Sequence, residues 1–207
     1  MTQDDLAGLV AVRICHDLVN PVGAIGNAAD LMHELAGADT REELELVRQS
    51  ATRASAMLRL LRLAFGAPAD GTGGMSRSEL HDVVMEGLGS RHVEMRWSGL
   101  EGPAVGLPAA RCMALMALCG RSLLGMRGRI TVTMAFDGAW PTGLAAEGES
   151  ATLDADARAW LSGEPTHRLP EPRRVELALL PGALAAAGAR LVSRSAPGSV
   201  LLTALPA

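Results

Sequence analysis

Residues 14–35 read ICHDLVNPVGAIGNAADLMHEL, and the spacing of their apolar positions decides how the chain folds. Ile14, Leu18, Pro21, Ile25, Ala28, Met32 and Leu35 step by alternating fours and threes. That is the a/d stripe of a helix packed lengthwise on another. The spacing predicts a helix over residues 4–35, stopped by Gly37 just past its end. A second helix is expected at once, with Thr40 as N-cap and Glu43 completing a capping box. Its stripe is Leu44, Val47, Ala51, Ala54, Leu58, Leu61 and Phe65. So short a connection makes the two helices antiparallel neighbours. One hairpin cannot enclose both stripes together with the flanking Leu60 and Leu63. Two hairpins paired as a four-helix bundle can, so a homodimer is expected over residues 1–66. The competing arrangement packs the stripes on the chain's own second half. It is disfavoured because the heptad spacing holds across the whole second helix.

Residues 67–75 read as a linker of glycine, proline and small polar residues without periodicity. From 76 to 207 the pattern changes to mixed α and β. Helices are expected over 78–88 and 108–124, strands over 92–97 and 129–134, and a weaker strand region over 142–153. Asp154 caps a short helix ending near Leu161. A helix over 175–187 carries Pro181 near its middle, which suggests a kink or a late start. Residues 190–195 and 200–204 form a hairpin about Ala196-Pro197-Gly198-Ser199. The fold class is α+β: a helical hairpin followed by an α/β sandwich, helices covering one face of a mixed sheet.

Composition narrows the chemistry. The 207 residues allow a sizeable core. Aromatic residues are few, so Leu, Ala, Val and ten Met must fill it. All nineteen basic residues are Arg. Without Lys there is no Walker-A phosphate loop, no Schiff base and no protein-kinase strand lysine. The net charge of −4 argues against a general nucleic-acid surface. Cys15, Cys112 and Cys119 offer neither a disulfide framework nor a zinc motif. Cys112 and Cys119 share one helical face and are expected in the core. With no basic-then-apolar leader and no run approaching the ~20 apolar residues of a membrane span, a cytoplasmic protein without membrane contact is expected.

His16 is the candidate functional residue. It lies about 200° from both Ile14 and Leu18, so it faces away from the stripe. A neutral imidazole is a nucleophile able to attack a phosphoryl group. Asp17 can accept from one ring nitrogen and leave the other free to attack. Asn20, one turn on, can orient a water or a phosphoryl oxygen, and Arg13, one turn back, can neutralise phosphoryl charge. Pro21 removes an N–H from the helix and is expected to bend it. A lone exposed histidine is usually only solvated, and His33, His81, His92 and His167 are read that way. No metal-ligand spacing links them.

The string His16-Asp17-Leu18-Val19-Asn20-Pro21 in a helical hairpin ahead of an α/β domain resembles the dimerisation and phosphoacceptor region of two-component sensor histidine kinases. The stretch CHDLVNPVGAIGNAADLM is more similar to ChpT-type histidine phosphotransferases. RGRITVTM, AWLSGEP and the ending GARLVSRSAPGSVLLTALP resemble the kinase-like ATPase fold more loosely. The departures matter as much. The helix matching the Asn-bearing ATP helix reads RCMALMALCGRSLLG and has no Asn, and Asp137-Gly138 lacks a following glycine box. The resemblance therefore implies a degenerate ATPase domain, with no nucleotide and no cofactor of its own. His16 would take phosphate from a receiver-domain aspartate and pass it to another response regulator, with Asp17, Asn20 and Arg13 assisting and Mg²⁺ supplied by the receiver. The implied partners are response-regulator receiver domains, a hybrid histidine kinase and a second copy of the chain. Two alternatives stay open: an ATP-dependent histidine kinase, and a dimeric scaffold that holds response regulators without chemistry.

Overall fold

The computed structural model describes residues 3–34, 39–66, 73–90, 92–135, 138, 140, 142–164 and 168–207. Two long helices lead, α1 (Gln3–Glu34) and α2 (Arg41–Phe65), packed side by side. α1 runs through Pro21 as one element. Strand β1 (Gly74–Met75) and helix α3 (Arg77–Leu88) follow, then β2 (Val93–Ser98), β3 (Val105–Gly106) and α4 (Leu107–Leu124). The rest is β4 (Gly128–Met134), β5 (Thr142–Glu147), α5 (Ala155–Ser162), a 3₁₀ turn (Pro172–Arg174), α6 (Val175–Ala186), β6 (Ala189–Ala196) and β7 (Ser199–Pro206).

The main sheet runs β2-β4-β5-β7-β6, parallel between β2 and β4 and antiparallel elsewhere. Its inward residues alternate as a half-buried sheet requires: Ile130, Val132 and Met134 on β4, Leu144 and Ala146 on β5, Val200, Leu202 and Ala204 on β7. α4 lies against this face. It is apolar all round and buried almost all round, which is what such a helix demands. Cys112 and Cys119 sit wholly inside, as expected, and burial pushes the Cys112 thiol up to about 11. Gly120 lets the sheet come close: a Cβ there would meet Leu144 Cδ2 at 2.5 Å. α6 packs beside α4, and α5 beside α6.

The hairpin and the sandwich share one core. Leu60, Leu61 and Ala64 at the end of α2 are buried with Leu80 and Val84 of α3 and with α4. A Cβ on Gly87 would stand 2.6 Å from Leu60 Cβ, so glycine sets how closely α2 and α3 approach. The lower part of the second stripe therefore does pack on the chain's own second half. The expectation that the hairpin is covered only by another hairpin is corrected to that extent. The upper part stays open: Leu44 is 57% exposed and Leu58 46%, and Val19 of α1 is 62% exposed.

Several local expectations shift. Thr40 makes no side-chain cap, and Glu43 Oε2 has no partner among the described residues. Asp39 takes over, accepting from the Arg41 amide at 3.2 Å and pairing with its guanidinium. The capping box is instead at Ser76, whose Oγ accepts from the Glu79 amide while Glu79 accepts from the Ser76 amide. Gly74 and Met75 of the expected linker form a short strand paired with Val105 and Gly106. Residues 67–72, Leu35, Gly37 and His167 lie outside the described residues. The strand region expected over 142–153 ends at Glu147, and α6 passes through Pro181 without stopping. By length and hydropathy α1 and α4 reach the range of helices that cross membranes, against the expectation that no run approaches it. α4 is the buried core helix.

Candidate functional site

The chain turns a corner just before α6, and that corner reaches α1 beside His16. Arg174 in the 3₁₀ turn pairs with Asp154 at 2.7 Å, and its guanidinium stacks over the Trp160 ring at 5.3 Å. Trp160 Nε1 donates to the Arg168 carbonyl at 3.0 Å. Asp154 also accepts from the Ala157 amide at 2.8 Å and so caps α5, as the sequence suggested. The two Arg174 contacts fix the turn to α5, and Arg173 is its neighbour in the turn.

The His16 side chain is 37% exposed, neither free in solvent nor sunk in the core. Its Nδ1 faces Asp17 Oδ1 at 3.3 Å. Arg173 reaches its Nε2, with Nε at 3.1 Å and an Nη2 contact as well. A guanidinium has only donors, so Nε2 accepts and the ring proton sits on Nδ1, toward the carboxylate. The ring is thus set with Nδ1 toward Asp17 and Nε2 under the Arg173 guanidinium.

Behind the ring lies a buried polar chain. Arg13 faces inward: its side chain is 10% exposed, its Nε stands 2.8 Å from Asp17 Oδ2, and its Nη1 donates to the Arg173 carbonyl. The same Nη1 lies 4.0 Å from Glu176 Oε1, in the first turn of α6. Ser122 of α4 donates to that Oε1, and its oxygen is 3.2 Å from the Arg173 carbonyl. Glu176 is wholly buried and its Oε2 has no partner among the described residues. Burial pushes its carboxyl up to about 7, against the opposing pull of Arg13, Ser122 and its own backbone.

Of the four residues singled out in the sequence, His16, Asp17 and Arg13 come together and Asn20 lies exposed one turn away. Arg13, expected beside an incoming phosphoryl group, is committed instead to Asp17 and the second half of the chain. Arg173, Glu176 and Ser122 were missed. One signal was available: Glu176 is the single charge in an otherwise apolar helix, VELALLPGALAA. No group of three or more His, Cys, Asp or Glu side chains suited to a metal ion occurs among the described residues.

Comparison with known proteins places the second half of the chain first. Residues 77–197 match the family described as the histidine phosphotransferase C-terminal domain. The matched segment holds Ser122, Arg173 and Glu176 and begins after the hairpin that carries His16. The protein phosphotransferase ChpT of Brucella abortus (strain 2308) is 35% identical over 132 residues. That alignment spans 63% of this chain and 61% of the relative. A bacterial phosphotransferase solved at 1.7 Å superposes with a TM-score of 0.78 at 23% identity, covering 99% of this chain and 97% of the other. The shared architecture thus extends over hairpin and sandwich alike.

Proposed function

The chain belongs to the histidine phosphotransferase family, and on that premise we propose that it relays phosphoryl groups between response-regulator receiver domains through His16. The observation that carries this reading is the state of the ring: half exposed, Nδ1–H toward Asp17, and Nε2 unprotonated. Nε2 attacks the phosphorus of an aspartyl phosphate on the donor. The N–P bond forms as the P–O bond to the aspartate breaks, and the electron pair leaves with that carboxylate. The ring becomes cationic and keeps its Nδ1 proton, which Asp17 stabilises. The reverse step on a second receiver completes the relay. A divalent cation is expected from the receiver, not from this chain.

Arg173 covers Nε2 at rest and must turn aside for the phosphoryl group. It then lies beside the new phosphoryl oxygens and offsets their charge. Arg173→Ala is expected to slow phosphoryl acceptance about 10- to 100-fold while His16 remains the modified residue. Single-turnover transfer from a phosphorylated receiver domain measures this. A rate equal to wild type would remove Arg173 from the step.

The working unit is a homodimer in this reading. Leu44, Leu58, Val12, Val19 and Val22 are exposed along the hairpin, an apolar surface that a second hairpin covers. Sedimentation equilibrium is expected to give twice the chain mass, and Leu58→Glu to shift the protein toward monomer. A wild-type monomer at micromolar concentration contradicts the bundle.

The same reading places the protein in the cytoplasm, beside receiver domains and a hybrid kinase that feeds them. α4 has no Asn to hold a metal-bound nucleotide, which supports relay without ATP. The deciding experiment mixes the chain with a phosphorylated receiver domain and then with a second, unphosphorylated one. Label is expected to pass through the chain, and labelled ATP alone is expected to leave it blank. Self-labelling by ATP would make it a kinase. Label that moves equally well without the chain would leave it a scaffold.

A further inference from the structure

We propose that Glu176 is a positioning residue for phosphotransfer, anchoring Arg13 so that Asp17 is held on the His16 ring and the second domain sets the reactivity of a histidine on the first. This rests on the relay reading above for what His16 does, but not for how His16 titrates.

The geometry is a single file of charges from one domain to the other. Glu176 Oε1 lies 4.0 Å from Arg13 Nη1, Arg13 Nε lies 2.8 Å from Asp17 Oδ2, and Asp17 Oδ1 lies 3.3 Å from His16 Nδ1. Arg13 is thus held at two points on α6 and its preceding turn, Glu176 and the Arg173 carbonyl. A carboxylate wholly inside an apolar helix face costs stability unless it does something there. Ser122 donates to Oε1 and Arg13 stands 4.0 Å from it, while Oε2 stays unpaired among the described residues. Leu or Met at this position would fill the core without that cost. Among the described residues the cation facing this carboxyl is Arg13, which also stands against Asp17.

The charged and titratable groups facing Glu176 are Arg13 and Asp17 from α1 and Cys119 from α4. Between the ordinary carboxylate range and about 7 the folded chain keeps a proton that the unfolded chain has lost. Stability therefore falls as pH rises through that window. Glu176→Gln removes this slope while preserving the side-chain shape.

The test compares wild type, Glu176→Gln and Ser122→Ala by NMR titration of the His16 ring, with phosphoryl acceptance from phosphoramidate as a second readout. As Glu176 ionises near 7 its charge offsets that of Arg13 behind Asp17, and Glu176→Gln removes that offset and so disfavours the imidazolium. The His16 midpoint is expected to drop by roughly half a pH unit in Glu176→Gln. It should drop less in Ser122→Ala, which weakens the same carboxylate. Acceptance is expected to slow about tenfold in Glu176→Gln. A purely structural role would change the melting temperature and leave the midpoint where it was. A folded Glu176→Gln with wild-type midpoint and rate overturns the proposal. So does an unchanged midpoint in Ser122→Ala, should Glu176→Gln not fold. If wild type takes no phosphoryl group, the relay reading falls, and the midpoints still decide the link.

Discussion

His16→Gln is expected to lower phosphoryl acceptance about a thousandfold or more, to the limit of detection, with the fold intact. Glutamine keeps an acceptor that Arg173 can meet, and the ring is 37% exposed, so little packing is lost. What disappears is the nucleophile. No other histidine among the described residues is held between a carboxylate and a guanidinium. His81 pairs with Asp82 at 2.8 Å but stands edge-on to Trp97 at 5.6 Å, on the opposite domain. Label retained in His16→Gln would mean that phosphate lands elsewhere, and the account of the site would fail.

Arg77→Ala is expected to cost about 3 kcal/mol of stability, seen as a lower urea midpoint at unchanged slope. Arg77 is 2% exposed in the first turn of α3. Its guanidinium donates to the carbonyls of Gly99 at 2.8 Å, Ala135 at 2.6 Å, Gly138 at 2.9 Å and Pro103 at 3.2 Å. These carbonyls follow the ends of β2 and β4, where the parallel pair stops and no strand partner remains. One planar fork thus ties together two segments, the one after β2 and the one after β4. Lysine cannot reproduce that fan of donors, so Arg77→Lys is expected to recover only part of the loss. Two mutants as stable as wild type would show the carbonyls to be satisfied by water instead.

What the sequence disclosed divides along the range of the interactions. The hairpin, the buried α4 and the alternation of β4 are written in periodicity, a property of neighbours in the chain, and they were legible. The cap of α5 at Asp154 was legible for the same reason. The cap expected at Thr40 does not form, and Asp39, one residue earlier, accepts from the Arg41 amide and pairs with its guanidinium. The capping box at Ser76 and Glu79 had an equal signal but stood beside a stretch taken as linker. β1 and β3 are two-residue strands, too short for any pattern. At the site, His16 and Asp17 are adjacent and were found. Arg173 and Glu176 are about 160 residues away, and Arg173 reaches the ring and Glu176 reaches Arg13 only because α6 packs on α4 and its leading turn docks on α1. Arg13 was expected beside the phosphoryl group, and nothing local in the chain shows that it faces Asp17 and Glu176 instead.

The most direct test of the central claim uses the chain labelled with ¹⁵N and phosphorylated by a receiver domain. Phosphorus–nitrogen coupling is expected at Nε2 of His16, the nitrogen that accepts from Arg173, with the proton remaining on Nδ1. Phosphate found on Nδ1, on another residue, or not at all would contradict it.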